Sequence, residues 1–156
     1  MRGTQMTRFA QLQEKYESEK ASDQSYWANL HGMVDNIRCN FAHYLGVVPG
    51  HMVSVGGVEI PVVSAGVIND RGQFEVWSVD KLPRSERSIV FALRLTYGTE
   101  ATQCVGTSKA FKLTMRSEGD TFFVKVDGFP EAFKGPTFEP LYEALFKHAI
   151  SNIGTV

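Results

Sequence analysis

The chain is expected to be an α+β domain: an antiparallel meander of five or six strands, with one amphipathic helix before it and one after it, both packed on one face of the sheet. Three observations lead there. Apolar residues recur at three- and four-residue steps over 26–45 and again over 138–153, which is the helical period. Residues 52–126, between these stretches, are rich in β-branched and aromatic side chains that alternate with polar ones. Short Gly, Asn and Asp clusters interrupt that run at spacings suited to hairpins.

The 156 residues carry 43% apolar and 21% charged side chains and a net charge of −1. That is enough material for a full core without disulfides or a structural metal, in one domain covering 23–156 after an N-terminal arm, 1–22. Neither half of the chain has the cationic surplus that would mark a partner in nucleic acid or anionic membrane. The first ten residues lack the apolar stretch of a secretory signal, and no apolar run reaches the length of a membrane span, so a cytoplasmic protein is expected. Met6 is a second candidate start, which would make the residues before it dispensable. Cys39 and Cys104 lie in different settings, a helix and a polar loop, and are expected to be free thiols.

Residues 7–20 hold good helix formers but a thin apolar stripe of Phe9, Leu12 and Tyr16, so a marginal first helix is expected there. Ala21, Ser22 and Asp23 read as a break, with Ser22 or Asp23 as N-cap of a second helix whose core stripe is Tyr26, Leu30, Val34, Ile37, Phe41 and Leu45. Gly46 stops that helix and Pro49-Gly50 turns the chain. Strands follow at 52–55, 58–68, 73–79, 88–97, 111–116 and 122–126. Turns at Gly56-Gly57, 69–72 and 118–120 supply the residues that accept positive φ. Pro61 has no N–H for a ladder, which places it at an edge, a strand start or a bulge. Residues 81–87, 98–109 and 128–136 are the longer loops, and the last helix opens near Thr137 with Pro140 in its first turn.

Chemistry is sparse. His31, Asp35, Cys39 and His43 form a line of potential metal ligands down one helix, but four such residues span about 18 Å, too far for one ion, and they lie opposite the core stripe. No metal and no cofactor is expected. Cys104 is a nucleophile only if a histidine such as His51 or His148 approaches it. His148 falls at the margin of the last helix's apolar stripe, and His51 at a strand entrance. No glycine-rich phosphate loop and no spaced carboxylate pair is present.

Two surfaces stand out for contact. Ala28, Gly32 and Ala42 make the back of the second helix small, which admits another helix, as in a homodimer. Phe123, amid Lys112, Arg116 and Lys125, is expected on the open sheet face, and Phe129 and Phe133 in an exposed aromatic loop. The chain therefore reads first as a non-enzymatic binding protein engaging a protein partner, of regulator or inhibitor type, with nucleic acid disfavoured. The competing reading is a pocket protein or small enzyme, its helices lidding a curved sheet and its cavity lined by Trp77, Phe91, Leu93, Phe111 and Tyr142.

Overall fold

The computed structural model describes residues 7–153; Met6 and the residues before it lie outside that range. The order of elements is a long helix α1 (Arg8–Tyr44), strands β1 (Met52–Val55), β2 (Val58–Pro61), β3 (Val63–Ile68) and β4 (Phe74–Val76), a 3-10 turn (Val79–Lys81), strands β5 (Arg84–Ser85), β6 (Ser88–Thr96), β7 (Ser108–Glu118), β8 (Thr121–Val126) and β9 (Ala132–Gly135), and helix α2 (Glu139–Asn152). The fold is α+β with an antiparallel sheet. Seven strands form it, in the order β4-β3-β6-β7-β8-β9 with β5 on β6, while β1 and β2 make a separate hairpin.

The break expected at 21–23 does not exist. The N-cap is Thr7, whose side chain accepts from the Ala10 amide at 3.0 Å. Ser22 and Asp23 lie inside one helix, where exposed polar side chains cost little, and Asp23 gains an ion pair to Arg87 at 2.6 Å. Lys15 and Glu19, one turn apart, add a second pair at 2.9 Å. The single strand expected over 58–68 is divided at Val62, whose amide bonds the His51 carbonyl while the Thr96 amide bonds the Val62 carbonyl. Pro61 closes β2 opposite Met52, where its missing donor is not needed. β9 lies inside the stretch read as a loop, because two prolines flank a four-residue strand too short to show alternation.

One hydrophobic core holds the domain. Trp27, Leu30, Val34, Ile37 and Phe41 of α1 and Leu141, Tyr142, Leu145 and Ala149 of α2 pack with Ile89, Phe91 and Leu93 of β6, Phe111, Leu113 and Met115 of β7, and Val124 and Val126 of β8. These strand positions are alternate residues, so both helices cover the same face. Phe41 and Tyr142 stack across the helix pair with ring centres 5.8 Å apart. Ala42, read as part of the small outer back of α1, is instead buried in this core.

Two glycines differ sharply in the space around them. A Cβ on Gly66 would come within 1.9 Å of the Glu75 carbonyl oxygen, because β4 folds over that spot of β3. By contrast, a Cβ on Gly32 meets nothing within 4 Å. Gly66→Ala should therefore destabilise the domain by about 1–3 kcal/mol, and Gly32→Ala should stabilise it by about 0.5–1 kcal/mol through helix propensity. Leu145→Ala or Phe41→Ala should cost about 2–5 kcal/mol, against less than about 0.5 kcal/mol for the exposed Cys104→Ser. Urea denaturation midpoints of the five variants and the unsubstituted chain check the order.

Candidate interaction surface

Both helices pack on one face of the sheet; on the other face the outward positions of β3 and β6 are buried, Ala92 at 0%, Thr96 at 2% and Ser64 at 5% exposure, whereas those of β7 to β9 are half-buried or exposed. Strand alternation fixes which side chains that other face carries. Because Phe111, Leu113 and Met115 face the core, Lys112, Thr114 and Arg116 face outward on β7. On β8 the outward residues are Thr121, Phe123 and Lys125. Register then aligns Arg116 with Phe123 and Phe123 with Lys134 of β9, and Thr114 with Lys125. Arg94 of β6 lies on the same side, opposite Ala110 of β7 and Ser64 of β3.

The outward positions of β6 to β9 thus hold five cations, Arg94, Lys112, Arg116, Lys125 and Lys134, and one acid, Glu118, which ion-pairs with Arg116. A net charge of −1 conceals this segregation, because the remaining acids lie elsewhere on the chain. Two rings sit among the cations. The Arg116 guanidinium lies 4.6 Å and the Lys134 ammonium 5.8 Å from the Phe123 ring centre, and the Arg94 guanidinium lies 4.5 Å from that of Phe74. Arg94 Nε is buried without a hydrogen-bond partner, and burial pushes the pKa of this guanidinium down. Ser64 Oγ and Thr96 Oγ1, in the same two strands, are likewise buried without partners. Lys125 donates to the Phe129 carbonyl.

The other residues singled out by sequence are dispersed. Ala28 and Gly32 are exposed on α1, away from the core. Phe129 and Phe133 do not form an exposed aromatic loop. Phe129 packs edge to face against Phe111, centres 6.4 Å apart, and lies 5.2 Å from the His148 ring, while Phe133 sits in β9 opposite Val124 and is half-buried against the core. The reason is β9 itself, whose pairing turns Phe133 inward. His148 is held between Phe111 and Phe129. Cys104 is exposed and His51 lines a different part of the surface, at the end of α2.

The line on α1 is also broken up: Asp35 pairs with Arg38 at 2.8 Å, Arg38 also reaches Cys39 at 3.4 Å, and His43 is exposed. Among the described residues no group of three or more His, Cys, Asp or Glu side chains comes together. The five residues named as lining a cavity do not share one: Phe91, Leu93, Phe111 and Tyr142 are packed in the core, and Trp77 is 39% exposed. Sequence reading missed Arg94 and Lys134 as members of the open face. Lys134 was hidden by the unrecognised β9, whereas Arg94 was visible as a lone cation in an otherwise apolar strand.

The chain matches no known protein family, and no curated protein or solved structure is similar to it. Functional inference therefore stands on geometry. One titration follows from it directly. Burial, then the charge of Arg84, lower the pKa of His31, with Asp80 opposing, and its Nε2 has no partner. A depressed native pKa means that the unfolded chain takes up the proton first, so stability is complete above about pH 6.5 and is lost as pH falls from there through the native pKa. His31→Gln should flatten that acid slope, measured as urea midpoints between pH 7.5 and 5.

Proposed function

We propose that the protein is a non-enzymatic binding module that engages an acidic protein partner through the open face of its sheet. The observation that carries this reading is the concentration of Arg94, Lys112, Arg116, Lys125 and Lys134 around Phe123 and Phe74 on a face with a single acid. Residues two apart on a strand repeat every 6–7 Å and neighbouring strands every 4.8 Å or so, which matches the spacing of carboxylates on an extended or helical acidic segment. The rings favour protein over single-stranded nucleic acid. Stacking a base needs a free aromatic face, and the cations close to Phe123 and Phe74 compete for those faces. Long cationic side chains lying over rings are also partly ordered before a partner arrives, which lowers the entropy cost of binding.

A regulator or inhibitor that acts by covering an acidic surface fits this arrangement. The test uses a fluorescent glutamate-rich peptide and a single-stranded oligonucleotide of equal charge, titrated with the full chain. The peptide should bind, binding should weaken steeply as salt rises through physiological strength, and Lys112→Glu combined with Lys134→Glu should weaken it at least about tenfold. Preference for the oligonucleotide, or an affinity indifferent to the double reversal, would sink the proposal.

A further inference from the structure

β9 ends the sheet on one side: it pairs with β8, and no strand lies beyond it among the described residues. The ladder fixes the direction of its backbone. The Asp127 amide bonds the Lys112 carbonyl, so Lys112 and Asp127 face each other as a hydrogen-bonded pair, and by the antiparallel alternation so do Thr114 and Lys125, and Arg116 and Phe123. The intervening residues of β8, Phe122 and Val124, therefore turn their backbone groups to β9, where they meet Gly135 and Phe133. Ala132 and Lys134 are left with N–H and C=O directed away from the sheet. Both residues are exposed, and among the described residues no group bonds these four backbone atoms.

Beside this edge, on the helix side, lies an apolar groove of about 280 Å³, with Phe129, Pro130 and Phe133 on one wall and Pro140 and Ala144 of α2 on the other. An open strand edge next to a helix-walled groove suits the addition of an extended peptide to a sheet. The backbone then supplies the pairing, and alternate side chains enter the groove.

We infer that β9 accepts an extended segment of the acidic partner as a further strand, and that this segment alternates acidic with apolar residues. The inference rests on the acidic-partner reading above and adds how the partner is held. The rows of the sheet give the alternation. Arg116, Phe123 and Lys134 form one outward row, so of two successive outward residues on an added strand, one lies beside Lys134 and the other diagonal to it. Carboxylates suit both places. Met115, Val124 and Phe133 form an inward row, which the added strand extends into the groove. A carboxylate there would meet Glu131 and Glu143, whereas an apolar side chain meets rings and Ala144, and the exposed Glu143–Lys147 pair stays in water.

Charge also argues against a second copy at this edge. Two β9 strands that pair antiparallel through all these backbone groups place both Lys134 side chains on one face, opposite or diagonal to each other, which sets like charges together.

The probe is a blocked heptapeptide of alternating valine and glutamate with valine at both ends, titrated into the labelled full chain and followed by amide shifts and hydrogen exchange. In the free chain the Ala132 and Lys134 amides should exchange fast and the Phe133 amide slowly; the peptide should protect the first two. The glutamates face Lys134, so their amides are the ones that bond β9. N-methylation of the glutamates should therefore weaken binding at least about tenfold, and N-methylation of the valines should leave it unchanged. Ala132→Pro removes one edge N–H, no bond to β8 and no charge, and should also weaken binding at least about fivefold with an unchanged circular dichroism spectrum. A heptapeptide that does not bind, or binds whichever amides are methylated, or an Ala132 or Lys134 amide already protected in the free chain, would overturn strand addition. The glutamate-rich peptide then judges the acidic-partner reading separately: it still binds the face if only the strand addition is wrong, and fails to bind if both are.

Discussion

The structure depends on the seam where the Trp27, Leu30, Val34, Ile37 and Phe41 side of α1 lies on the sheet. Those side chains close the core from above β3 and β7, and α2 fills what α1 leaves uncovered, so that the inward residues of the central strands are fully buried. Burial of this kind is the main source of stability in a domain of such size. It is also one-sided. With both helices spent on one face, the outward side chains of β7 to β9 on the opposite face are left half-buried or exposed.

That asymmetry explains how a nearly neutral chain acquires a basic face. The outward positions of β7 to β9 are largely exposed, unlike the buried Ala92 and Thr96 of β6, and Lys and Arg occupy five outward positions across β6 to β9. The charged groups of Arg116 and Lys134 lie over Phe123 and that of Arg94 over Phe74, which holds these cationic heads near the sheet. α1 runs on past the body, and Glu19 and Asp23 interrupt its apolar side there. Arg87 braces the junction, its guanidinium 3.8 Å from the Tyr26 ring centre and its ion pair reaching Asp23.

Much of this was legible in sequence. The stripes of α1 and α2 gave both helices and their buried sides, and alternation over 111–116 and 122–126 gave the inward and outward sets of the β7–β8 hairpin, down to Phe123 between cations. What escaped has particular causes. Ser22 and Asp23 are equally good caps and tolerable helix residues, and the choice was made by Arg87, which is 64 positions from Asp23. β9 is four residues long and depends on pairing with β8 rather than on its own pattern. Phe129 and Phe133 resembled an exposed loop because their burial comes from tertiary neighbours, Phe111, His148 and Val124. The open face was only half visible, since its membership requires strand order as well as strand phase.

The central claim is that the uncovered face of the sheet is the working surface. The most direct measurement is a heteronuclear NMR titration of the labelled full chain with a glutamate-rich peptide, mapping which amides and side chains shift. The account predicts perturbations confined to the outward positions of β6 to β9, centred on Arg94, Lys112, Arg116, Phe123, Lys125 and Lys134, and weakening as salt is raised. Shifts centred on α1 or α2, or none at saturating peptide, would contradict it.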